Sequence, residues 1–166
     1  MPRTAAFLGR RAAARKGRRG TLPALLFFTD PERTPDAAAI AGRLPRGSAI
    51  VYRAFGSADA ESVGARLRAV ARARRLVFLV GADWDLAARL EADGVHLPER
   101  LASRARRLKA AHPDWLVTAA AHSPRAARTA LAHGADAAVV SAVFPSRSPS
   151  AGPPIGPLRL ALLVKA

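Results

Sequence analysis

Gly134-Ala-Asp-Ala-Ala-Val-Val-Ser-Ala-Val-Phe-Pro-Ser-Arg-Ser-Pro-Ser-Ala-Gly-Pro-Pro-Ile-Gly156 is the stretch whose reading decides the fold. It leaves a helix end at His133-Gly134, enters an apolar run from Ala137 to Val143, opens into a loop and reaches a new helix near Pro157. A nearly continuous apolar run is what a parallel strand covered on both faces requires. The loop at the carboxyl end of such a strand is where α/β proteins hold anionic ligands. Here Ser146 and Ser148 offer hydroxyls, Arg147 offers a fixed charge, and the prolines stiffen the path. Read alone, the segment serves equally well as a proline-rich connector between strand and helix.

The same alternation extends through the chain. Apolar runs at Ala24–Thr29, Ala49–Tyr52, Leu76–Val80, Gly94–Leu97, Leu116–Ala121 and Ala137–Val143 read as strands. Between them, Pro35–Leu44, Ala58–Arg74, Asp83–Glu91, Arg100–Ala111 and Pro124–His133 read as helices. The strands recur about every twenty residues or a little more, the period of βα units. Leu90-Glu-Ala-Asp-Gly-Val-His96 and Ala132-His-Gly-Ala-Asp-Ala-Ala138 echo one another as helix end, Ala-Asp, strand. Either an open doubly wound sheet or a (β/α) barrel of TIM type accommodates six such units. After the first strand stands Thr29-Asp30-Pro31-Glu32 in place of a Gly-x-Gly-x-x-Gly turn, which favours the barrel.

Composition narrows the classes further. With 166 residues, half of them apolar, one domain is expected, covering 22–166 after a basic arm at 1–21. The chain has no cysteine, so disulfides, thiolate metal sites and a cysteine nucleophile are excluded. No apolar run approaches a membrane span, and a cytoplasmic protein is expected. The formal charge of +15 would suggest nucleic acid. Arginine supplies nearly all of it, alongside still more abundant alanine, a pairing that looks like coding bias and argues against nucleic acid as partner. Seven basic residues fall in the first twenty positions, with no acid there. That arm reads as a solvated tail, with an Arg-rich transit segment or an anion-gripping arm as alternatives.

Ala92-Asp-Gly-Val-His-Leu97, Ala121-His-Ser123, Gly134-Ala-Asp136, Phe144-Pro-Ser-x-Ser148 and Pro153-Pro-Ile-Gly156 together resemble the thiamine-phosphate synthase and thiazole tautomerase family. Phe27-Phe-Thr-Asp30, Tyr52-Arg53 and Asp85-Leu-Ala87 support the likeness, which runs from about Leu22 to Ala166. The resemblance implies a (β/α)8 barrel and a transferase of thiamine biosynthesis. Such enzymes join a pyrimidine pyrophosphate to a thiazole phosphate, with magnesium assisting pyrophosphate departure. It also implies that about six βα units are present and that strands seven and eight are missing. Strands one and six would then be edges, for a partner or a second copy in a homo-oligomer to cover.

Carried over position by position, the resemblance makes Arg53 the arginine that meets pyrophosphate, a role suited to guanidinium. Ser146 and Ser148 stand for two threonines of the phosphate loop, with Arg147 between them. Other family positions are changed. Phe55 and Pro149 replace lysines, Gly81-Ala82 replaces an Asn-Asp pair, Leu101 replaces the second magnesium carboxylate, and Ala120 replaces a serine. No cofactor is therefore assigned, since Ala82 and Leu101 offer magnesium no oxygen. Asp83 and Glu99 are nearby acids, each equally suited to a helix start. His122 matches a histidine that in tautomerases moves protons on the thiazole ring, and that synthases also carry. His96 reads as an inward packing residue, and Trp84 and Trp115 as packing residues. His112 and His133 read as helix-end residues, and no metal-ligand spacing links the four histidines.

Three functions follow. The first is a divergent thiamine-phosphate synthase family protein, weak or inactive as a synthase, that keeps an anion site for a small phosphorylated heterocycle. The second is a metal-independent thiazole isomerase using His122 as its catalytic residue. The third is a non-catalytic anion- or nucleic-acid-binding protein that uses the basic arm.

Overall fold

The computed structural model describes residues 22–145 and 153–165. Strands and helices alternate as β1 (Leu26–Phe28), α1 (Ala37–Ala41), β2 (Ala49–Tyr52), α2 (Ala60–Arg74), β3 (Val77–Gly81), α3 (Trp84–Arg89) and β4 (Gly94–Leu97). A 3-10 helix (Glu99–Arg104) leads into α4 (Ala105–Ala111), followed by β5 (Leu116–Ala121), α5 (Pro124–Ala132), β6 (Ala137–Val140) and α6 (Gly156–Lys165). The strands lie in the order β1-β2-β3-β4-β5-β6, without reversal. Sequential parallel strands with a helix after each are the arrangement of a TIM-type (β/α) barrel, whereas a doubly wound sheet reverses its order. The expected fold class is therefore the observed one. No helix among the described residues is long and apolar enough to cross a membrane.

The chain divides into two compact units between Val95 and His96. In the first, β2 lies parallel between β1 and β3, with Phe27 opposite Ile50 and Ile50 opposite Phe78. Ile50, Val51, Phe78, Leu79 and Val80 are wholly buried, which explains why these strands show apolar runs rather than alternation. Asp36 caps α1 through Ala39 N, and Asp83 caps α3 through Leu86 N. Tyr52 ties α2 to β2 by donating its hydroxyl to Ala60 O at 2.8 Å. Burial first, and Asp59 second, push that hydroxyl's pKa up, so it remains a donor. Gly64 in α2 permits close packing, because a Cβ there would lie 2.4 Å from Leu90 Cδ1 and 3.1 Å from the Tyr52 ring.

In the second unit β5 pairs parallel with β6, Thr118 opposite Ala137. Ser123 caps α5 through Ala126 N, and Pro124 occupies the first turn, where its missing N–H costs nothing. β6 ends at Val140, earlier than its apolar run predicts. Ser141 N still reaches Ala121 O, but Ala142 O and Val143 O instead accept from Ile155 N and Gly156 N. The carbonyls that would extend the strand are turned to the start of α6. The expected fourth helix likewise begins as a 3-10 turn before becoming α-helical.

The sequence echo is a structural repeat. Asp93 N donates to Phe78 O, while Asp93 Oδ2 accepts from Phe78 N at 2.7 Å and from Arg68 at 2.8 Å. Asp136 N donates to Val117 O, while Asp136 Oδ2 accepts from Val117 N at 2.9 Å and Lys109 Nζ at 3.0 Å. In each unit an aspartate before one strand bonds the second residue of the preceding strand and a cation from the helix that leads into that preceding strand, Arg68 of α2 and Lys109 of α4. These are the amino ends of the strands, where residues serve stability rather than chemistry.

Candidate functional site

The matched residues follow the carboxyl ends of strands. In the first unit, Arg53 comes directly after β2. Its backbone N–H donates to Thr29 Oγ1 at 2.9 Å and its Nε to Thr29 O at 2.7 Å. Its terminal nitrogen pairs with Asp30 Oδ2 at 3.2 Å. Asp30 is held by a tight turn, its Oδ1 accepting from the backbone N–H groups of Glu32 and Arg33. Burial acts to raise the Asp30 carboxyl, but those N–H groups and the Arg53 charge outweigh it and hold its pKa below 3.8.

Phe55, where the resemblance implies a lysine, lies with its ring centroid 5.0 Å from the Arg53 guanidinium and is 68% exposed. The second face partner is Phe28, at 6.0 Å. An aromatic face thus replaces a second positive charge beside Arg53. At the end of β3, a Cβ on Gly81 would lie 3.2 Å from Tyr52 O and 3.3 Å from Arg53 Cγ. A larger residue at 81 would have to displace that part of Arg53. Ala82 takes a positive φ of 64° and is exposed.

In the second unit, His122 directly follows β5. Glu99, two residues beyond β4, directs one oxygen, Oε2, at both the His122 backbone N–H (2.7 Å) and Nδ1 (2.8 Å). The two side chains are 39% and 42% exposed. Arg53–Asp30 and His122–Glu99 share a plan: an acid after one strand holds a base after the next, 23 residues later in both cases. His96 is buried, with Nδ1 2.9 Å from Thr118 Oγ1, as an inward packing residue should be. His112 stacks on Trp115 at the end of α4, and His133 Nδ1 lies 2.8 Å from Thr129 O at the end of α5.

The residues present do not fit magnesium. Ala82 and Leu101 carry no oxygen donor, Asp83 Oδ1 is engaged as the cap of α3, and Glu99 Oε2 is engaged by His122. Among the described residues, no three or more His, Asp or Glu gather as a metal site. Ser146, Arg147, Ser148 and Pro149 lie outside the described residues, as does the arm at 1–21. The pairing of Asp30 with Arg53, and of Glu99 with His122, is what motif matching misses. The equal 23-residue spacing, one βα period, is the signal that could have found it.

A family model for thiamine monophosphate synthase matches residues 25–166. A thiamine-phosphate synthase of Chromobacterium violaceum is 37% identical over 136 residues, covering 74% of this chain and 63% of that protein. A putative thiamine-phosphate synthase 2 of Aquifex aeolicus is 34% identical over 90 residues, covering 54% and 48%. A solved thiamine phosphate pyrophosphorylase of Pyrococcus furiosus superposes with a TM-score of 0.68 at 25% identity, covering 86% of this chain and 69% of that one. The chain thus spans less than two thirds of the length of these two curated relatives. With the family model covering most of its length, the chain belongs to the thiamine monophosphate synthase family.

Proposed function

We propose that this chain binds a phosphorylated heterocycle, with Arg53 as one candidate anion-binding residue and Ser146, Arg147 and Ser148 as others, and that its magnesium-assisted synthase reaction is weak or lost. The observation carrying this reading is the commitment of the acids beside the altered magnesium positions: Asp83 to a helix cap and Glu99 to His122. One oxygen of each carboxylate is engaged in those bonds, so neither offers a cation both of its oxygens as it stands. Guanidinium has five donors, and Nε and one terminal nitrogen account for the bonds described at Arg53, so the fork keeps capacity for a phosphate. Asp30 competes for it, which makes the expected affinity modest. Titration with inorganic pyrophosphate tests this. Binding should be salt-sensitive, lost in Arg53→Ala and unaffected by magnesium; strong enhancement by magnesium would refute the reading.

A second reading, metal-independent isomerisation of a thiazole phosphate by His122, is favoured by the His122–Glu99 contact. An imidazole oriented by a carboxylate is the arrangement general-base catalysis uses. Loss of proton transfer in His122→Ala is the expected result, and unchanged turnover would remove it.

A further inference from the structure

We infer that Glu99 is the positioning residue of His122, fixing the neutral ring with its proton on Nδ1 and so leaving Nε2 as the proton acceptor. The inference rests on the isomerase reading for its role in turnover, but the geometry stands by itself. A carboxylate offers lone pairs and no proton, so a contact of 2.8 Å between Glu99 Oε2 and His122 Nδ1 requires Nδ1 to donate. The same oxygen accepts from the His122 backbone N–H at 2.7 Å. That second bond fixes the acceptor relative to the main chain of the residue whose ring it orients. Among the described residues, no hydrogen bond is made at Nε2.

Glu99 itself is placed by the fold. Pro98, with φ −64°, directs the chain out of β4 into the 3-10 helix, and Glu99 is its first residue. His122 stands at the corresponding exit of β5, just ahead of the Ser123 cap of α5. The device thus uses two neighbouring strand ends within one unit.

The chemical step is a proton shuttle. The Nε2 lone pair takes a proton from one ring position of the heterocycle, leaving the bonding pair on the ligand. The imidazolium formed faces the Glu99 carboxylate, which stabilises its charge. Nε2 then returns the proton to a different ring position, and the shifted double bond completes the isomer. No electron acceptor, metal or further reactant enters, and the enzyme ends in its starting form.

Long-range proton–nitrogen correlation spectra of the 15N-labelled chain, recorded at alkaline pH where ordinary imidazoles are neutral, read the tautomer directly. The wild type should show His122 protonated on Nδ1 and bare on Nε2. Glu99→Ala should lose that preference, while Glu99→Gln should keep it, because a carboxamide oxygen can accept the same two bonds. Finding the wild-type proton on Nε2, or an unchanged tautomer in Glu99→Ala with the native circular dichroism spectrum, would overturn the inference. In an isomerisation assay, Glu99→Ala should lower kcat by about tenfold or more with little change in KM, with partial rescue by Glu99→Gln. Full activity in His122→Ala would remove the isomerase reading, while the spectra would still decide the tautomer.

Discussion

Replacing Asp136 by alanine should be among the most damaging single changes outside the apolar core. Its Oδ2 accepts from Val117 N and Lys109 Nζ, and its side chain is only 12% exposed. Hydrogen bonds to a charged group contribute roughly 1.5 kcal/mol or more each, so losing two costs about 3 kcal/mol. Leaving the buried Val117 N–H without its carboxylate places the expected value toward the upper side of that figure. Asp93→Ala removes the matching pair of bonds in the first unit. Asp93 is 40% exposed, so water can replace much of what is lost, and the expected cost is about half as large. At roughly 2–4 °C per kcal/mol for a domain of this size, Asp136→Ala should lower Tm by about 6–12 °C and Asp93→Ala by about 3–6 °C. Thermal melts and urea midpoints of both variants provide the assay. A smaller loss for Asp136→Ala than for Asp93→Ala, or a loss for Asp136→Ala of under about 1 kcal/mol, would refute the reasoning from burial.

The Asp30 carboxyl, with its folded pKa held below its unfolded value, contributes stability that is present above the unfolded pKa and lost as pH falls through the folded one. Asp30→Asn should therefore flatten the acid limb of the stability curve below about pH 4, as read from urea midpoints against pH. The same substitution removes the competitor for the Arg53 guanidinium and should tighten pyrophosphate binding by isothermal titration, whereas Arg53→Ala should abolish it. Phe55→Lys should also tighten that binding by adding a cation beside Arg53, and the gain should shrink as salt rises.

The strands were legible where burial on both faces leaves an unbroken apolar run. β2, β4 and β5 fall on the expected residues. Asp83 and Ser123-Pro124 announce their helices because capping is a local event. The end of β6 was not legible, since it depends on Ala142 and Val143 turning their carbonyls to Ile155 and Gly156, a choice made by tertiary contact. The site divides in the same way. Arg53 and His122 stand out by resemblance, each at a strand exit, while Asp30 and Glu99 are identified as their partners only when neighbouring strand ends come together. Glu99 illustrates the limit: as a residue type it suits a helix start or a metal, and only the 2.8 Å contact assigns it to His122.

Whether magnesium chemistry survives the lack of oxygen donors at Ala82 and Leu101 decides between an active and a degenerate synthase. Steady-state pyrophosphate release, measured with the pyrimidine pyrophosphate, the thiazole phosphate and saturating magnesium, tests it most directly. Removing one electrostatic group commonly costs about 10²–10³ in rate, so the combined changes predict turnover below about 0.01 s⁻¹, insensitive to magnesium. Turnover near the typical 10 s⁻¹ or so, lost when magnesium is chelated, would contradict it.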